Sequence, residues 1–194
     1  MANLISKTLK MISKERENIL GLAAKLIKAG DDPRGSTLKV IQVIEKWLKE
    51  RNLDYDVQFS KDKFNNIIIS YGGRPENGLI FLGHLDVVPV SDQSQWKYGP
   101  FSATRSDDKL YGRGAADMKG AVSAFLYALY ALIENGFKPK NGITIVLTSD
   151  EEVGGTNGTG YLVSNGLLKG KYAIVGEPTG SQKTGFSIVV GERG

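Results

Sequence analysis

A layered α/β fold is predicted for this chain, and three observations predict it. The runs "GLIFLG" (78–83), "ITIVLTS" (143–149) and "YAIVG" (172–176) are apolar throughout and read as short strands buried on both faces. Helical segments lie between them, so strand and helix alternate along the second half of the chain. Each of these strands is followed at once by acidic or imidazole side chains, and ligands of α/β sheets sit beyond the carboxyl ends of strands. The expected architecture is a mixed, largely parallel sheet between layers of helices.

The elements follow in order. "ERENILGLAAKLIK" (15–28) carries Ile19, Leu22, Leu26 and Ile27 at helical spacing, and "AGDDPRG" then breaks the pattern. "STLKVIQVIEKWLKE" (36–50) opens on a capping-type Ser36 and repeats Leu38, Ile41, Ile44 and Leu48 on one stripe. "YDVQF" (55–59) and "FNNIIIS" (64–70) read as strands between polar turns. "AVSAFLYALYALIENG" (121–136) is a helix apolar nearly all round, which places it inside the layers. "NGTGYLVSNGLL" (157–168) supplies a helix before the last apolar strand, and "KTGFSIVVGERG" (183–194) alternates like the start of a new one. No element is assigned to residues 1–14, and no repeat or low-complexity segment is present.

Composition narrows the function. The 194 residues include 41% hydrophobic ones, enough for a real core. Twenty-five basic residues face 21 acidic ones, a formal charge of +4 spread without a basic block, which argues against a nucleic-acid partner. No cysteine is present, so there is neither a disulfide framework nor a thiolate ligand, and any metal must be held by oxygen and imidazole. Nowhere do about 18 apolar residues run together, and the N-terminus lacks a signal-peptide core; the expectation is no membrane partner and a cytoplasmic location.

The chemistry sits after the apolar strands: His84-Leu85-Asp86, then Asp150-Glu151-Glu152, then Glu177, with Asp117 in "YGRGAADMKG" just before the buried helix. Carboxylates converging in a crevice raise one another's pKa and need compensation, which a divalent cation supplies. Hard oxygen donors with one imidazole suit Zn²⁺, Co²⁺ or Mn²⁺. Of the adjacent glutamates, Glu152 can hold metal while Glu151 serves as general base toward water. Asp86 is placed to accept the second N–H of the His84 ring and orient it. Other motifs fall short: "GRGAAD" has Asp117 where a dinucleotide fingerprint needs its last glycine, and "GLLKGK" is one residue short of a P-loop and lacks its Ser or Thr. "SQWKYGPF" reads as a wall beside the site.

In this order, "GHLDVVP", "W", "PF", "GRGAADMKG", "TSDEE", "NGT" and "VGEPT" resemble the dizinc amidohydrolase family of succinyl-diaminopimelate desuccinylase, acetylornithine deacetylase, aminoacylase and glutamate carboxypeptidase, the desuccinylase branch most closely. The resemblance runs from about residue 15 to the end of the chain. It implies a zinc-peptidase-like three-layer catalytic domain and metal-dependent hydrolysis of an N-acyl amide, with a small N-acyl amino acid or peptide as substrate. His84 would bind the first metal, Asp117 would bridge both, Glu152 would bind the second, Glu177 would complete the first, Glu151 would be the general base, and Asp86 would orient His84. A cis peptide after Asp117 is also implied. Family members are about twice as long, with a lid domain that forms a homodimer and further histidines. This sequence has one histidine. The expected division is therefore 1–182 as the N-terminal part of the catalytic domain and 183–194 as the first strand of an otherwise missing lid. One tightly bound Zn²⁺ rather than two, low activity of the chain alone and an exposed sheet edge are expected with it.

Overall fold

The computed structural model describes residues 2–30, 37–61, 64–181 and 185–186. Three helices come first: α1 (Ala2–Lys14), α2 (Arg16–Ala29) and α3 (Leu38–Lys49). The first was not legible, because its inward stripe has Thr8 at its centre while Ile5 and Leu9 face solvent. Ser36, the expected cap of α3, lies outside the described residues; Thr37 sits at the cap position without capping and donates instead to the Ser149 hydroxyl at 2.9 Å.

The strands are β1 (Asp56–Lys61), β2 (Phe64–Tyr71), β3 (Leu79–His84), the hairpin β4 (Thr104–Ser106) and β5 (Lys109–Tyr111), β6 (Ile143–Thr148), β7 (Tyr172–Val175), and the pair β8 (Gly180–Ser181) and β9 (Gly185–Phe186). Five of them form one mixed sheet in the order β1-β2-β6-β3-β7. β3 runs parallel to β6 and β7, and β2 runs antiparallel to β1 and β6. Of the segment expected to start a lid, only Gly185 and Phe186 are among the described residues.

Strand alternation divides the core into two layers of contact. Ile67 and Ile69 of β2 and Ile143, Ile145 and Leu147 of β6 face one side, packed with α2, α3 and the helix α4 (Gly120–Glu134). Ile68, Ile80 and Val146 face the other, beneath Leu162 of α5 (Thr159–Ser164). α5 is shorter than its sequence pattern, because Asn165 and the left-handed Gly166, φ 66°, end it. The stretch Ala115–Glu134 is long and apolar enough to cross a bilayer. Its first turn is interrupted by non-helical Asp117 and Met118, and the rest packs Val122, Leu126 and Leu129 into the protein core. At the far edge β7 pairs only with β3 among the described residues, leaving Tyr172, Ile174 and Val175 exposed.

Candidate metal centre

The parallel register of β3 and β6 sets His84 beside Thr148, while β7, on the other side of β3, ends two residues earlier with Val175 opposite Leu82. All three strands therefore release their next residues at one end of the sheet: Asp86 after β3, the acidic triplet after β6, and Glu177 after β7. Asp117 reaches the same place from the break before α4, where the Asp117-Met118 peptide is cis. Met118 is fully buried, and its sulfur accepts the His84 backbone N–H at 3.3 Å. A Cβ on Gly83 would come within 2.9 Å of the Met118 methyl, so the bare strand leaves room for that side chain beneath it.

His84 is 1% exposed and forms the hub of the cluster. Its Nε2 lies 2.8 Å from Asp117 Oδ1, 3.6 Å from Glu177 Oε1 and 3.9 Å from Glu151 Oε2. Its Nδ1 lies 3.1 Å from the Asp86 backbone oxygen and 3.4 Å from Asp86 Oδ1, so main chain and carboxylate together orient the ring. The Asp86 carboxylate also accepts the backbone N–H groups of Glu151, at 3.2 Å, and Glu152, at 3.0 Å. It thereby ties the loop carrying both glutamates to the loop carrying the histidine. Nothing in the sequence signalled that link, because it is made to main chain 65 and 66 positions away.

The acidic triplet divides. Glu151, its side chain 52% exposed, lines a cavity of about 340 Å³ together with His84, Thr148, Glu177 and the Gly154-Gly155 turn. Asp150 turns inward to 1% exposure and accepts the Asn157 backbone N–H at 2.5 Å, while its own carbonyl accepts from Val153 and Gly155. It folds the loop and does not face the cavity.

The electrostatics are those of crowded carboxylates. Burial pushes Glu152 and Glu177 upward, and the Asp117 charge adds to it in both. Burial disfavours the charged form of His84, but hydrogen bonds to Asp86 and Asp117 outweigh it and raise its pKa to about 9. Asp86 is lowered: burial opposes its charge, and the His84 hydrogen bond with the Glu152 N–H prevails. Below the cluster lies Lys119, 0% exposed, whose ammonium burial lowers to about 8 against the pull of Asp86, Glu152 and Asp117.

A divalent metal fits these residues. Two triplets, His84-Glu151-Glu177 and His84-Asp117-Glu152, each bring their ligand atoms within 4.8 Å of one another. The donors are carboxylate oxygen and imidazole nitrogen, the set that zinc accepts. The grouping differs from expectation: Glu151, read as a base, joins His84 and Glu177 where Asp117 was expected, and His84 stands with Asp117 and Glu152 as well.

Comparisons with known proteins point to one family. The family model described as peptidase family M20/M25/M40 matches residues 80–191. The chain is 39% identical over 163 residues to a succinyl-diaminopimelate desuccinylase of Rickettsia akari, covering 79% of this chain and 42% of the relative. It is 37% identical over 158 residues to the enzyme so named from Blochmanniella floridana, covering 79% and 41%. It thus spans about two fifths of the length of the curated relatives it matches. Among solved structures, human carnosine dipeptidase 1 superposes with a TM-score of 0.75 at 22% identity, over 88% of this chain and 40% of that one. A metallo-carboxypeptidase of the same family from Sulfolobus solfataricus gives 0.69 at 23%, over 83% and 36%. These two likenesses speak for the fold.

Proposed function

The chain belongs to peptidase family M20/M25/M40, and on that premise we propose that it carries the metal-binding face of a hydrolase that cleaves the N-acyl amide of an amino acid, N-succinyl-diaminopimelate before other substrates. The observation that carries this reading is the pair of donor triplets meeting at His84. The preference for a succinyl substrate rests on the curated relatives. Deacetylation of acetylornithine and metallo-carboxypeptidase action on a peptide are the in-class alternatives.

His84, Asp117 and Glu177 would hold the first Zn²⁺, and Asp117 with Glu152 would hold a second. Co²⁺ and Mn²⁺ suit the same donors. Bound zinc supplies Lewis-acid polarisation of the scissile carbonyl and a more acidic water. Glu151 lines the cavity with its side chain half exposed; it takes the proton from the attacking water and delivers it to the departing amine. Asp86 holds that carboxylate in place through the Glu151 and Glu152 N–H groups and keeps the His84 ring aimed. With one imidazole in the sequence, one zinc is bound more tightly than a second. A cytoplasmic location belongs to the same reading.

Calorimetric Zn²⁺ titration of the metal-free chain tests it. Binding near one equivalent, abolished by Asp117→Ala and spared by Glu151→Ala, is the expected result. Loss of binding in both variants would move Glu151 from base to ligand, and its persistence in Asp117→Ala would overturn the site. Specificity is read by adding the remaining part of the Rickettsia akari relative and comparing hydrolysis of N-succinyl-diaminopimelate, N-acetylornithine and a dipeptide. Turnover of the dipeptide alone would replace the desuccinylase reading.

A further inference from the structure

The segment "SQWKYGPF" holds no member of the ligand triplets, yet it borders a cavity of its own. Trp96 lines that cavity together with Lys109 and Tyr111, which are two positions apart on β5 and share a face of the strand. The space is about 500 Å³, the size of a small-molecule site. It shares no lining residue with the cavity at His84, and Ala115 and Ala116, just before Asp117, put only methyl groups on it. The rings are half-buried and held by cations. Tyr98 stands edge-on to Tyr111 with centroids 5.0 Å apart, and Lys97 Nζ lies 5.2 Å from the first ring and 5.9 Å from the second. The Arg113 guanidinium lies 5.1 Å from the Trp96 ring, and its buried Nε has no hydrogen-bond partner among the described residues. The acidic residues adjoining these segments are turned elsewhere: Asp92 accepts from Ser94 and Gln95, Asp107 accepts from Ser106, and Asp108 stands 3.9 Å from Arg16. Among the described residues none of Lys97, Lys109 and Arg113 has a carboxylate partner, and the Lys109 ammonium has no partner at all.

We propose that this cavity binds a small aromatic carboxylate, its ring against Trp96 and Tyr111 and its carboxylate on the Lys109 ammonium. Two aromatic walls favour a flat, apolar ring, which gains from edge or offset contact with both. Three cations without carboxylate partners give the surface around those rings a positive potential, strongest within about 8 Å at physiological salt. A neutral aromatic molecule would leave Lys109 unpaired, and an aliphatic anion would leave the rings uncovered. The two features together select the ligand class. The volume suits one such molecule, and the sequence has no basic block to follow a phosphate backbone. The site adjoins the metal centre through Ala116 but needs no metal to form.

The test uses the metal-free chain with phenylacetate as the probe. The sequence has two tryptophans, and Trp47 is buried against Tyr127 and Tyr130, so a change in indole emission reports Trp96. A saturable change is expected with phenylacetate, and neither acetate nor phenylacetamide should reproduce it at the same concentration. Lys109 is exposed, so Lys109→Gln keeps the fold; it is expected to raise the dissociation constant about threefold or more. Trp96→Leu removes the reporter, so its binding is read by saturation-transfer NMR on the phenylacetate ring protons, where the signal should be lost. If that variant does not fold, Lys109→Gln and the phenylacetamide comparison decide the matter. Equal binding of phenylacetamide, an unchanged constant in Lys109→Gln, or no saturation up to about 10 mM overturns the proposal. A short oligothymidylate that changed the same emission at lower concentration than phenylacetate would assign the surface to nucleic acid and overturn it as well.

Discussion

The sequence contains one histidine, so the imidazole C–H resonances in a proton NMR titration report His84 alone. In the metal-free chain its pKa stands at about 9 against an ordinary 6.5. At about 1.4 kcal/mol per pH unit, that difference corresponds to about 3 kcal/mol of stability carried by the imidazolium. The sign follows from which state binds the proton more tightly. The folded chain does, so the contribution is complete below pH 6.5 and is lost as pH rises through 9. Asp86→Asn removes the carboxylate that lies 3.4 Å from Nδ1 and leaves the backbone oxygen at 3.1 Å in place. It should lower the His84 midpoint by about one unit or more, because burial, which opposes the charge, then meets less resistance. It should also flatten the fall in melting temperature between pH 6.5 and 9. A wild-type midpoint at or below 6.5, or one that Asp86→Asn leaves in place, would refute the view that carboxylates charge this ring when metal is absent.

Two further substitutions test the supports of the site. Leu162 is fully buried and is the anchor of α5 on its face of the sheet; Leu162→Ala should cost about 2–5 kcal/mol in urea unfolding, and a cost below about 1 kcal/mol would mean that α5 is held by something else. Asp150→Ala removes the buried acceptor of the Asn157 N–H, which closes an otherwise exposed loop. It should cost about 1.5–3 kcal/mol and speed hydrogen exchange at the Asn157 amide, whereas unchanged exchange there would show that the loop closes without it.

The fold was legible where periodicity and burial agree. The two-faced apolar runs became β3, β6 and β7, although β7 lies at the sheet edge and is exposed along its length instead of buried on both faces. The helix apolar nearly all round became the central α4. α1 was missed because its stripe is interrupted by a threonine and two of its apolar residues point to solvent. For the site, the sequence supplied residue types at strand ends: His84, Asp117, Glu151, Glu152 and Glu177 do come together. It could not separate Asp150 from its neighbours, since three consecutive carboxylates look alike until the turn sends one inward. It was equally silent on Lys119, which is buried with its side chain close against Gly30 and Gly114.

What no strand pattern contains is the order in which the strands lie. The chain leaves β3, crosses the face covered by α4 and enters β6 on one side of it; it then crosses the opposite face under α5 and enters β7 on the other side. β3 is thus the strand from which successive connections diverge, and a crevice opens at the carboxyl ends there because neighbouring loops turn to opposite faces. His84, the last residue of β3, stands at that point, with Glu151 and Glu152 arriving from one flank and Glu177 from the other. Asp86, two residues beyond, bridges from the end of β3 to the β6 flank through main-chain hydrogen bonds. The spacing of the two ligand triplets is therefore set by sheet topology, and the His84 ring sits where both can reach it. A change that disturbed the parallel pairing of β3 with β6 would move the glutamates as a pair relative to His84, and Asp86 opposes that movement by tying the two loops directly.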